Sequence, residues 1–190
     1  MSRPDTRTKL LDTAETLVRR KGAEGFSYAD MSAAIGIRKA SIHYHFPAKT
    51  DLLNALMTRY ARSVMGRLRT AQTEAASAAE QVDAFLSLYR EALGEGDCVC
   101  LCVAYSLSPE VLNVATRTAI SEFRMAVIDW LTTAFLSAEN DQTINSVARP
   151  DQEAHAALAL VEGAQVSARF SNDTRLYDKA VAGFRNRLTL

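Results

Sequence analysis

Gly36 is the residue that most restricts what this chain can fold into. It separates two short helical stretches, from about Tyr28 to Ile35 and from about Lys39 to His45, and a glycine there permits the left-handed backbone of a tight turn. The first stretch opens on Ser27-Tyr28-Ala29-Asp30, a capping-box pattern in which serine and carboxylate satisfy each other's backbone amides. Phe46-Pro47 closes the second, because proline biases the residue before it away from helical angles. Ala33, Ala34, Ile35, Ile37 and Ile42 are predicted to pack the pair together. Two helices of this size on so short a turn form a helix-turn-helix unit.

The flanking sequence supplies the rest of a helical head. A helix from about Pro4 to Lys21 is expected, with Ser2 as cap, Pro4 in the first turn and Asp5 three residues past the cap. Leu10, Leu11, Ala14, Leu17 and Val18 follow one helical face. Arg19, Arg20 and Lys21 crowd the end, where the helix dipole favours cations, and Gly22 stops it. A long helix from Lys49 to about Ala71 carries an apolar stripe through Leu52, Leu53, Leu56, Met57, Tyr60, Val64 and Leu68.

Beyond it the chain stays helical: Gln81 to Leu93, an apolar segment from Cys98 to Leu107, Glu110 to about Ser137, Asp151 to Phe170, and Thr174 to Leu188, with a polar loop over 139–150. Only 8 glycines and 4 prolines in 190 residues argue against a sandwich or barrel, which need frequent turns. The expected architecture is all-α: a helix-turn-helix domain over 1–48 joined to a larger helical domain over 49–190.

Zero net charge conceals an asymmetry. Residues 1–69 carry 13 Lys and Arg against 6 Asp and Glu, whereas residues 70–190 carry 9 against 16. The front suits a polyanion and the rest does not. No stretch of about 18 apolar residues reads as a membrane span, and Met1 to Leu10 has no apolar leader core, so a soluble cytoplasmic protein is expected.

In a helix-turn-helix the second helix enters the major groove, whose edges distinguish all four base pairs. Arg38, Lys39, Ser41, His43, Tyr44 and His45, with Ala40 among them, give that helix a donor-rich surface. Ser27 at a helix N-terminus and Lys49 at the start of the long helix are placed for phosphates.

The run Gly36-Ile37-Arg38-Lys39-Ala40-Ser41-Ile42-His43-Tyr44-His45-Phe46-Pro47-Ala48-Lys49 resembles the signature of the TetR family of transcriptional repressors. Thr8-Lys9-Leu10-Leu11-Asp12-Thr13-Ala14, Gly22 and Gly25-Phe26-Ser27 fall in the same pattern, so the likeness covers about residues 6–60; Leu160-Val161-Glu162-Gly163-Ala164 is a weaker echo. Three positions depart from the family: Arg38 replaces a usual Ser or Thr cap, His43 a usual Tyr, and Ala48 a common Ser. These bear on which operator is read, since base choice lives in such side chains.

The resemblance implies a homodimer that binds double-stranded operator DNA through two recognition helices spaced about one DNA turn apart, with the last long helices forming the subunit interface. Ala154, Ala157, Leu158, Val161, Ala164, Gln165 and Ala168 make an apolar face suited either to that interface or to an ordinary core. It also implies a small-molecule effector that binds the form with the wrong spacing and so releases DNA. Its pocket is expected between the long fourth helix and the central helices, with Met57, Tyr60, Met65, Phe85, Tyr89, Tyr105, Phe123 and Trp130 as candidates.

Cys98, Cys100 and Cys102, near an expected helix start, support an alternative, a thiol sensor of oxidants or electrophiles; the family resemblance implies Cys100, which aligns best with a cysteine that some regulators of that family use to respond to such compounds. Residues two apart on a helix diverge, so the three are not expected to bind a metal, and no cofactor is expected. An enzyme is disfavoured, since the only histidines are His43, His45 and His155 and no nucleophile–base pair, metal set or phosphate loop is evident. A helical interaction protein that no longer binds DNA is the remaining class.

Overall fold

The computed structural model describes residues 5–190. Among them are nine α-helices: α1 (Thr6–Lys21), α2 (Tyr28–Ile35), α3 (Lys39–His45), α4 (Lys49–Glu74), α5 (Ala78–Glu91), α6 (Leu101–Ser106), α7 (Val114–Asp141), α8 (Pro150–Ser171) and α9 (Arg175–Arg185). The expected all-helical class is observed. The cap expected at Ser2 and the first-turn Pro4 lie outside the described residues. Within them, Asp5 caps α1, its carboxylate accepting from the Thr8 amide at 2.7 Å.

The helices fall into two compact units, the described residues up to 61 with 101–121, and residues 62–100 with 122–190. In the first, α1 packs on α2 and α6, and α2 on α3, around fully buried Leu10, Ala14, Met31 and Ile42. Arg59 of α4 clamps α1 through Asp12 at 2.6 Å and Glu15 at 2.9 Å. The buried Tyr105 hydroxyl donates to the Leu53 carbonyl at 2.8 Å, tying α6 to α4.

In the second unit α5, α8 and α9 pack together. The Tyr177 hydroxyl donates to the Leu86 carbonyl at 2.7 Å, and Arg90–Asp178 and Arg185–Asp83 join α5 to α9 at the rim. Gln165, fully buried, uses both ends of its amide: its Oε1 accepts from the Cys100 N–H at 2.8 Å and its Nε2 donates to the Tyr89 carbonyl at 2.6 Å.

Several expected boundaries move. α5 begins at Ala78 because Ser77 caps it, accepting from the Glu80 amide at 3.2 Å. Cys98 to Cys100 are not helical, and α6 starts only at Leu101, since Gln165 holds the Cys100 amide. α7 starts at Val114 because a short 3-10 turn occupies Pro109–Val111 and Asn113 accepts from the Thr116 amide at 2.9 Å. The α8 face of Ala154, Ala157, Leu158, Val161, Ala164, Gln165 and Ala168 is buried within the chain itself, so it is core rather than a subunit interface. The opposite face, Ala156, Ala159, Gly163, Val166 and Phe170, is exposed at alternating three- and four-residue spacing. No helix of the described residues is long and apolar enough to cross a membrane.

Candidate nucleic-acid interface

The head is built from its caps outward. Ser27 and Asp30 complete the capping box: the Ser27 amide and hydroxyl both donate to the Asp30 carboxylate at 2.7 Å, and the Ser27 oxygen accepts from the Asp30 amide at 3.3 Å. The bonds from Ser27 hold the Asp30 carboxyl below the usual carboxylate range. Gly36 adopts the left-handed conformation, φ 75°, that the turn requires. The Ser32 hydroxyl donates to the Ile37 carbonyl, pinning the turn to α2.

Arg38 occupies the N-cap of α3 without a side-chain capping bond. Ile42 and Phe46 anchor the inner side of α3, at 0% and 2% exposure. Arg38, Lys39, Ala40, Ser41, His43 and Tyr44 face outward, Tyr44 at 83%, while His45 is half-buried. Ala33 and Ala34, expected in the packing of the unit, are exposed, and Ile35 and Ile37 are half-buried; Met31 fills the core from α2 instead. Alanine suits either side of a short helix, so its position in the sequence did not decide the face.

Two shallow, open grooves flank α3. One, of about 400 Å³, is lined by Phe26, Ser27, Tyr28, Ala29, Lys39, His43 and Lys49. The other, of about 430 Å³, is lined by Thr6, Ile37, Ala40, Ser41, Tyr44 and His45. The first joins two cations to the N-terminus of α2, where the amides of Tyr28 and Ala29 precede the first intrahelical bonds. Ser27's own donors are turned inward to Asp30, so that end of the groove offers backbone amides more readily than the Ser27 hydroxyl.

Lys49 is partly a brace. Its Nζ donates to the carbonyls of Phe26 at 2.6 Å and Glu24 at 3.4 Å and lies 4.3 Å from the Phe26 ring centre. Burial pulls its ammonium below the usual lysine value, against the opposing charges of Glu24 and Asp30. An ammonium has three donors, so a phosphate can still be met by the third.

Sequence reading missed Tyr28 and Thr6. The Tyr28 hydroxyl donates to the Phe46 carbonyl at 2.9 Å, and its ring stands edge-on to His43 at 4.9 Å. Burial, with the Asp51 charge, pushes the phenol up to about 12, so it remains a donor at neutral pH. His43 Nδ1 lies 3.2 Å from the Pro47 carbonyl, a contact that favours a proton on Nδ1 and leaves Nε2 outward. Asp51 makes good the missing cap at Ala48 by accepting its amide at 3.0 Å.

The effector candidates are distributed over both units. Met57, Tyr60 and Tyr105 are buried in the first, and Phe85, Tyr89, Cys100, Phe123 and Trp130 in the second; Met65, also of the second, is half-buried. Cys98 is half-buried, its thiol 3.3 Å from the Asp97 carboxylate, and Cys100 and Cys102 are buried. Among the described residues no group of three or more His, Cys, Asp or Glu is placed to hold a metal ion.

The family model described as bacterial regulatory proteins, tetR family, matches residues 10–56, from within α1 into α4. The HTH-type transcriptional repressor NemR of Escherichia coli strain K12 is 25% identical over 189 residues, covering 96% of this chain and 93% of that one. A TetR-family transcriptional regulator from Agrobacterium tumefaciens superposes with a TM-score of 0.89 at 26% identity, over 97% of both chains. A TetR transcriptional regulator from Legionella pneumophila does so at 0.86 and 25%, over 99% of this chain and 100% of that one.

Proposed function

We propose that this chain is a DNA-binding transcriptional regulator of the TetR family, working as a homodimer whose two α3 helices hold operator DNA until a small molecule releases it. The observation that carries this reading is α3 itself. Ile42 and Phe46 lock one side into the core, so the other side presents Lys39, Ala40, His43 and Tyr44 as a fixed surface between two grooves. In this reading Lys39, Ser41, His43, Tyr44 and His45 meet base edges or phosphates, Arg38 and Lys49 meet phosphates, and Ala40 permits close approach. Residues 1–48 then act as the reading head, and 49–190 supply the effector site and the dimer contact.

The exposed stripe of α8 supports the dimer. Gly163 lies mid-helix, where glycine costs about 1 kcal/mol relative to alanine, yet an added Cβ would meet nothing within 4 Å in its own chain. A second copy's helix approaching that stripe gives the glycine a use. Lys39→Ala and Tyr44→Ala test the site assignment: each is expected to weaken operator binding with the fold intact, and unchanged binding in both would refute it.

A second reading is favoured by where the cysteines lie. The chain passes from one unit to the other between Cys100 and Leu101, and α6, which follows directly, packs on α1 of the reading head. Modification of a sulfur there would bear on α1. A variant with Cys98, Cys100 and Cys102 all changed to Ser decides it. Release of DNA by peroxide or a quinone in the native protein but not in the variant supports the thiol sensor, and equal release in both refutes it.

A further inference from the structure

Trp130 is the one tryptophan of the chain, and among the described residues its indole nitrogen is a buried side-chain polar atom with no hydrogen-bond partner. The residue is 6% exposed. Buried indole N–H groups usually find a partner, and an indole can only donate. A molecule that pairs with it would therefore have to bring an acceptor atom.

The surroundings on α7 narrow its character. Phe123, Val127 and Ala134 lie along the same helical face, and all are buried hydrocarbon. Arg124, the α7 cation nearest in sequence, is paired with Glu162. This face of α7 offers no free charge to pair with an ionised ligand, and burying an unpaired charge is far more costly than burying a hydrogen-bonded neutral group. We infer that Trp130 is the hydrogen-bond donor of a ligand site, and that its ligand is a neutral, largely apolar molecule with a carbonyl-type acceptor. This rests on the effector-released reading above and specifies the chemistry of its effector.

Acetophenone and ethylbenzene test it, being similar in shape and differing in the carbonyl. The full-length protein is expected to bind acetophenone roughly fivefold more tightly than ethylbenzene, the worth of one net hydrogen bond. In Trp130→Phe that ratio falls to about one or below. Since this variant can disturb packing, the native protein carries an independent readout. Its single indole N–H resonance should move downfield with acetophenone and stay in place with ethylbenzene. No binding of acetophenone, equal affinity for the two probes, or an unmoved indole resonance at saturation overturns the inference. If the resonance moves while operator affinity does not change, the ligand site stands and its role as the switch for DNA release fails.

Discussion

Lys49 and Phe26 are joined twice: the Lys49 ammonium donates to the Phe26 carbonyl at 2.6 Å and lies 4.3 Å from the centre of its ring. The pair fastens the loop after α1 to the first turn of α4, so a residue proposed to meet DNA also shapes the head. Lys49→Met keeps the stem and removes the donors. It is expected to lower unfolding stability by about 1 kcal/mol, because the lost hydrogen bonds are partly offset by relief of the buried charge. Denaturant unfolding measures this, and unchanged stability would leave Lys49 as a solvated cation only.

Acid should loosen the head through Asp30. Hydrogen bonds from Ser27 lower its carboxyl below the ordinary value of 3.8. A group whose folded value is depressed contributes stability above its unfolded value and loses it as pH falls through the folded one. Asp30→Asn should therefore melt below the native protein at pH 7, with the difference shrinking as pH is taken below 3.8. A difference that is constant over this range would show that the carboxylate charge is not what caps α2.

The outward stripe of α8 predicts how dimers can be broken. Phe170, 92% exposed, and Gly163 lie on it. Phe170→Glu and Gly163→Leu should each give helical monomers by light scattering. Operator affinity should fall on the order of a hundredfold, as the second half-site contact becomes a separate event. Dimers that persist in both variants would place the interface elsewhere.

The head was legible in the sequence because its signals are local. Ser27 and Asp30 are three residues apart, Gly36 marks its own turn, and Pro47 acts on the residue before it; α2 and α3 accordingly begin and end where expected. The misses are of two kinds. Some signals were present but unread, as with Ser77 and Glu80 at the start of α5. Others depend on partners distant in sequence. Tyr28 meets His43 and Phe46, and Gln165 reaches Cys100 and keeps that stretch out of α6. On α8, both faces are rich in alanine, and periodicity within one chain does not say which face its own core covers. Trp130 could be chosen as an effector candidate from the sequence, but its unpaired N–H is a property of the fold alone.

The central claim is that α3 reads DNA, and selection from a random duplex pool, followed by binding of the selected duplex across a salt series, tests it most directly. The account predicts a two-fold-related sequence with half-sites about one helical turn apart. It should bind at least about a thousandfold more tightly than unrelated duplex, with affinity falling steeply as salt rises. Tyr44→Ala should relax the preference at particular base positions, while Lys39→Ala should weaken binding to all sequences and reduce the salt slope by about one. A pool that yields no preferred sequence, with weak binding that both variants leave unchanged, would contradict it.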